Sequence, residues 1–376
     1  MTNVWAEKTW EKLEQKLKAE CERMGSGIPF LPVNGHYRDC MMPGGLHWWT
    51  NGFWPGLLWQ AYHATEDEAY RIAAHGAGIR LAETLHEPEK LEHDTGFLFQ
   101  LSSVADYQLT QDEDSCTAAL QAAKLLADRL NDKGGFLRAW NSSPWMEDSS
   151  GLMIIDCMMN LSLLFWASEV SHDSHYADVA VRHAQTSLHH LLRPDGSCAH
   201  IASFDAETGS FLGTLGGQGY GEGSSWSRGQ GWALYGFALA YRHTGLQEFL
   251  DASKRSANYC IACLQHNSWV PLRDFRAPDS PVKVDSGAGV IIACGLLELA
   301  GHLPELEKAL YQNAALKLLQ ACEEKFADYS PDTDGILGGG ATMYHDERLA
   351  NAAIIYNDYF YVEAVLRLLG KNFMIW

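Results

Sequence analysis

Apolar residues recur along most of the chain at the three- and four-residue spacing of an α-helix, and turn-rich gaps divide this pattern into about twelve segments. Two kinds of segment alternate. Gly52–Tyr62, Gly96–Ala105, Cys157–Trp166, Gly231–Ala240, Gly289–Glu298 and Tyr359–Leu368 are small, aromatic and apolar on most faces. A helix apolar all round is buried all round. Each of the first five is followed by an amphipathic segment, opening at Thr65, Thr110, Ser171, Thr244 and Gly301, where Thr, Ser and acidic residues suit helix caps and first turns. Lys8–Met24 supplies a sixth.

Six buried helices alternating with six half-buried ones predict an inner ring inside an outer ring. The expected fold is all-α, one (α/α)6 barrel over residues 1–376 with no interdomain linker. An open α-solenoid would keep a nearly constant repeat length, whereas the inner segments here are unevenly spaced. The excess length lies ahead of the inner helices, in the Gly-, Trp- and Ser-rich stretches Lys133–Gly151, Asp195–Ser225 and Tyr329–Ala350. Long loops at one end of a scaffold are where sites are built, so function is expected at the N-terminal mouth of the inner ring.

Charge narrows the partners. Lys and Arg total 28 against 47 Asp and Glu, a formal net charge of −19. A polyanion needs clustered cations to displace its counterions, so neither nucleic acid nor an anionic membrane is an expected partner. The nine cysteines are odd in number and irregularly spaced, unlike a disulfide framework, and Cys260-Ile-Ala-Cys263 is a lone pair in a helical run. With no secretory h-region and no membrane-spanning run, the expected location is the cytoplasm. The helices suffice for a monomer.

At the heads of the inner helices stand Trp48, Trp49, His93, Asp94, Asp156, Trp226, Arg228, Gln230, Trp232, Asp285 and Asp358. Polar residues on otherwise apolar helices need a reason. Helix capping is one available to each aspartate. Asp156 resists it, being the lone charge between Leu152 and Ala167. Burial and a neighbouring carboxylate raise a carboxyl pKa by more than a helix end lowers it, so Asp156 is expected to be the protonated general acid and Asp94 its ionised partner. Seven tryptophans (48, 49, 54, 140, 145, 226 and 232) fall in or beside the mouth loops. Flat apolar faces among Asp, Gln, Ser and His suit pyranose rings, although Trp54 and Trp232 fit a core equally well. Arg228 suits a planar carboxylate, or alternatively a salt bridge to a mouth aspartate. The scattered histidines show no metal-ligand spacing, and the glycine-rich Gly213–Gly223 lacks phosphate-loop spacing, so no metal or cofactor is expected.

Together these residues resemble glycoside hydrolase family 88, the unsaturated glucuronyl hydrolases. The matching stretches are Trp49-Thr-Asn-Gly-Phe-Trp54, His93-Asp-Thr-Gly-Phe-Leu98, Ala139-Trp140, Ile154-Ile-Asp-Cys157, Ser224–Ala233, Ala293–Glu298 and Asp358-Tyr-Phe-Tyr361. The resemblance implies hydration of the 4,5-unsaturated uronic acid that polysaccharide lyases leave at a non-reducing end. It places the catalytic acid, then base, on Asp156, and a second essential carboxylate on Asp94. It further implies Trp49, Trp140 and Trp232 as ring contacts, His93, His200 and Gln218 as polar contacts, and Arg228 near the uronate carboxylate. The expected partner is a small unsaturated glycosaminoglycan oligosaccharide. Family members acting on sulfated sugars carry Ser-x-x-Ser-x-Lys where this chain has Met343–Arg348, and Asp346 there would repel sulfate. The related unsaturated rhamnogalacturonyl hydrolases, and an inverting glycosidase on the same barrel, are the alternative readings.

Overall fold

A computed structural model describes residues 2–40, 42, 44–142 and 148–376; Trp145, one of the mouth tryptophans, lies outside them. The helices are α1 (Thr2–Met24), α2 (Phe53–Thr65), α3 (Glu68–Ala82), α4 (Thr95–Phe99), α5 (Ala105–Thr110), α6 (Glu113–Ala127), α7 (Cys157–Ser171), α8 (Ser174–His190), α9 (Ser227–Thr244), α10 (Gln247–His266), α11 (Ser286–Gly301), α12 (Glu305–Phe326) and α13 (Ile355–Leu369). A π turn, Gln100–Val104, joins α4 to α5, and the two count as one inner helix.

The inner ring closes. In order, α2, α4–α5, α7, α9, α11 and α13 each contact the next, and α13 returns to α2. The outer helices α1, α3, α6, α8, α10 and α12 surround them. The expected (α/α)6 barrel is the observed one. Its stability rests on aromatic packing between inner helices, as where Phe53 meets Phe97 at 5.4 Å, Tyr359 at 5.4 Å and Phe360 at 5.6 Å. After α13 the chain turns back, and Trp376 enters the ring to stack on Phe360 and donate to Glu363 Oε2 at 2.8 Å. No helix among the described residues is long and apolar enough to cross a membrane.

One turn chemistry recurs between inner and outer helices. Thr65, Thr110 and Thr244 each turn a hydroxyl back to the carbonyl four residues earlier, at 2.7–2.9 Å, and accept the amide two residues ahead. The residue between is left-handed: Glu66, Gln111 and Gly245. Asp67 and Asp112 then cap the outer helix, accepting from Ala69 N and Ser115 N. Thus the threonines finish the inner helix, and after Thr65 and Thr110 the caps expected near them are the aspartates two residues on, whereas after Thr244 that place is held by Leu246, which caps nothing.

The mouth loops hold strands that helical periodicity does not announce. Leu130–Asn131 (β1) pairs with Phe136–Leu137 (β2), while Leu152–Ile154 (β3), Ile201–Phe204 (β4) and Phe211–Leu215 (β5) form a three-stranded antiparallel sheet in the order β3-β4-β5. Ile154 lies opposite Ile201. That register fixes the site.

Candidate active site

Just beyond the β3–β4 register, Ile155 N donates to His200 O at 3.0 Å, so the residue heading α7, Asp156, emerges beside His200. His200 Nε2 stands 3.2 Å from Asp156 Oδ1, yet neither atom has a hydrogen-bond partner in line. At the ring's other nitrogen, Gln218 N donates to His200 Nδ1 at 3.0 Å. A nitrogen that accepts an amide carries no proton, so the neutral ring presents Nε2–H to Asp156. Gly217 makes this contact possible: its φ is +56°, and a Cβ there would fall 1.8 Å from His200 Nδ1.

Asp94 heads α4 across the mouth. Its neighbour His93 is buried, with N bonded to Ala139 O at 3.2 Å, Nδ1 3.2 Å from Asn160 Nδ2, and Nε2 3.4 Å from Asp94 Oδ2. Burial drives the His93 pKa down to about 3, so this ring too is neutral. Neither Asp94 nor Asp156 makes a side-chain capping bond to its own helix. Capping, the ordinary use of aspartate here, therefore explains neither. It does explain Asp285, which caps α11 through Ala288 N, while Asp358 is a buried tie accepting from Tyr37 Oη, Ile336 N and Leu337 N.

The environments of the two carboxylates differ, and in the direction opposite to the sequence expectation. Burial, then the charges of Asp156 and Glu92, pushes Asp94 well above the usual carboxylate range. Burial also pushes Asp156 up, but the Nε2–H that His200 directs at it, helped by the positive charge of Arg228, more than offsets this and holds it below its ordinary value. The proton of the free pair therefore resides on Asp94, and Asp156 is the ionised member. His200 is the residue that reverses the order; nothing in the run around Asp156 reveals it.

These residues line a cavity of about 230 Å³ together with Trp48, Trp49, Trp140 and Gln218. It is smaller than the roughly 300–1,000 Å³ of drug-sized ligand sites and suits one sugar ring. Larger hollows exist, but one, around Arg242, Glu298 and Arg367, is lined by charges paired with one another. Trp49 is held from behind by Tyr356, stacked at 5.3 Å, and Trp140 stands edge-on to His93. Of the nine residues singled out, Asp94, Asp156, Trp49, His93, Trp140, His200 and Gln218 meet here. The other two lie behind the wall. Trp232 is fully buried against Phe97 and Phe360. Arg228 is 1% exposed and takes the salt-bridge alternative, donating to Asp285 Oδ2 at 2.7 Å and to the carbonyls of Ala341 and Thr342. Its guanidinium lies between Trp226 and Tyr356, and so braces Trp49 and His200 through those rings. Gln230 is likewise structural, bonded to Cys198 N and Gly196 O.

Sequence reasoning missed His47, Glu92 and Asn160. Glu92 accepts from Asn141 N at 2.8 Å and fixes the Trp140 loop. Asn160 carried the same signal as Asp156, a polar side chain in an apolar helix, one turn further on.

A model of Glycosyl Hydrolase Family 88 matches residues 33–268, a span containing every residue that lines the cavity. The chain belongs to glycosyl hydrolase family 88. Within family 88 it is 38% identical to the unsaturated glucuronyl hydrolase of Bacillus sp. (strain GL1) over 325 residues, 85% of this chain and 86% of that relative. It is 34% identical to the unsaturated chondroitin disaccharide hydrolase of Streptococcus pneumoniae, over 87% of this chain and 83% of the relative. The structure superposes on that of the unsaturated glucuronyl hydrolase of Streptococcus agalactiae with a TM-score of 0.90 and 30% identity, covering 100% of this chain and 94% of the other. Family 88 membership bears out the resemblance drawn from the motifs.

Proposed function

We propose that this family 88 enzyme removes the 4,5-unsaturated uronic acid from short glycosaminoglycan fragments by adding water across its C4=C5 bond. One observation carries the reading. Asp156 Oδ1, His200 Nε2 and His93 Nε2 converge on the cavity as buried polar atoms without hydrogen-bond partners, beside the Asp94 carboxyl and three tryptophans. Such atoms are ordinarily satisfied, so this capacity is left for a polar ligand.

In the proposed reaction a proton is delivered to C4, positive charge develops at C5 and the ring oxygen, and water attacks C5 while losing a proton to the same carboxylate. The hemiketal so formed opens and releases the aglycone. Asp156 is the acid and then the base, and Asp94 holds ring hydroxyls and faces the developing charge. The resting proton on Asp94 fits this scheme once substrate is considered. Among the described residues those lining the cavity include no Lys or Arg, so the arriving uronate carboxylate raises Asp156 by like-charge repulsion and moves the shared proton to it. The segment that reaches the cavity by Tyr344 N donating to Gln218 O has its cations paired: Arg348 is bonded to Asp346 at 3.0 Å, and Lys283 and Arg273 to Glu347. With its cations so engaged, the enzyme prefers unsulfated disaccharides.

The test supplies unsaturated disaccharides, plain and 6-sulfated, beside a saturated counterpart, and follows loss of the ultraviolet absorbance of the C4=C5 bond. Turnover of the unsaturated sugars alone is expected, faster without sulfate. Asp156→Asn should lose turnover while keeping fold and binding. Hydrolysis of the saturated sugar would exclude hydration.

A further inference from the structure

Asn160 lies four residues after Asp156 on α7, its side chain fully buried, and reaches across to α4. Its Nδ2 is 3.2 Å from His93 Nδ1, while its Oδ1 is buried with no partner. Helices α4 and α7 touch here with no slack: a Cβ on Gly96 would stand 2.4 Å from Asn160 Cβ and 2.6 Å from its Oδ1. We infer that Asn160 is a positioning residue that decides which nitrogen of His93 carries the proton, and through His93 orients Asp94 for the reaction. The inference rests on the proposed hydration chemistry in assigning Asp94 to that reaction.

An amide has a donor at one end and an acceptor at the other. With Nδ2 toward His93 Nδ1, that nitrogen accepts, and the ring proton sits on Nε2, 3.4 Å from Asp94 Oδ2. His93 is then a donor to Asp94, able to hold the carboxylate when its proton has left. Turned over, the amide would accept from Nδ1–H, and His93 Nε2 would accept the Asp94 proton. The observed amide orientation selects the first of these tautomers, and a protonated Asp94 then carries its proton on Oδ1, leaving Oδ2 to accept from His93. The ionisable groups facing this pair are Asp156, Glu92 and Arg129 around Asp94, with Asp156, Arg129, His183 and His200 around His93. Among the described residues Asn160 alone bonds the ring's second nitrogen, and its amide also hydrogen-bonds Asp94 itself, which favours the ionised carboxylate.

The test is made on the whole enzyme labelled with nitrogen-15 in histidine, with the His93 signals assigned by their loss in His93→Gln. At neutral pH the native enzyme should show a protonated Nε2 and a bare Nδ1. The reverse would overturn the inference without any variant at position 160. Asn160→Asp, an acceptor only, should move the proton to Nδ1. Asn160→Leu, which keeps the volume, should lower kcat roughly tenfold with KM changed less than about twofold, and should shift the alkaline limb of the pH profile. An unmoved tautomer and an unmoved limb in both variants would defeat the proposal. Failure of the hydration reading looks different: Asp156→Asn would stay active while the His93 tautomer still followed residue 160.

Discussion

At the scale of residues, the site is a pair of carboxylates that share one proton and are told apart by their neighbours. With burial and two nearby charges raising Asp94, and His200 holding Asp156 low, the pair is singly protonated across the pH range between them. Below that range both are neutral, and Asp94 has no charge to set against the positive charge developing at C5. Above it both are ionised, so no acid remains and the uronate is repelled. The pH profile of kcat/KM should therefore be a bell, its alkaline limb set by Asp94 and displaced well above an ordinary carboxylate. Asp94→Asn should lower kcat by about 10²–10³, the cost of one group that faces developing charge, and remove that limb. A flat profile through neutral pH would refute the assignment. Asp156 was legible in sequence because a lone charge in an apolar run demands explanation. The direction of its pKa was not, since it is set by His200 and Arg228, far along the chain. Arg228 shows the complementary limit: its flanking Ser and Trp residues fit a carboxylate, but Asp285 had to be seen to know that the charge was already paired.

At the scale of elements, the helices were legible and the strands were not. Six inner segments apolar on most faces and six amphipathic ones hold the helical spacing over ten residues or more, long enough for the pattern to decide. The strands are two to five residues long. β3 merges with the apolar run that leads into α7, and its partner β4 is distant in sequence, so period alone does not separate it from a helix. Yet β3–β4 is the element that delivers His200 to Asp156. Two glycines fix the close approaches on which the site depends. Gly217→Ala adds a Cβ 1.8 Å from His200 Nδ1 at a positive φ, and should lower kcat at least tenfold through loss of the His200 orientation. Gly96→Ala forces α4 from α7 at Asn160 and should reduce activity and thermal midpoint together. By contrast Asp112→Ala removes only the cap of α6 and should cost about 1 kcal/mol in denaturant unfolding with kcat unchanged. A loss of kcat there as large as at Gly217 would mean that the outer ring, too, shapes the site.

At the scale of the whole molecule, the net charge of −19 and the cavity act in the same direction. Glu92, Asp94 and Asp156 line the cavity without a Lys or Arg among the lining residues, and Arg228 is neutralised by Asp285 behind the wall. The proposed substrate carries at least one carboxylate. Long-range repulsion therefore opposes its approach, and binding relies on stacking and short-range hydrogen bonds, which salt affects little. Repulsion is screened as the Debye length falls from about 30 Å at 0.01 M to about 10 Å at 0.1 M salt. KM for an unsaturated disaccharide should consequently fall as salt is raised over that range, with kcat steady. The fall should be steeper for a tetrasaccharide, which carries more anionic groups, and steeper again for its sulfated form. A KM that rises with salt would show an attractive cation at the mouth and would return Arg228, or Arg348, to contact with substrate. Neutralising one acid separates the two: Asp346→Asn frees Arg348 from its partner and should weaken the salt effect for sulfated sugars alone, leaving that for the plain disaccharide as it was.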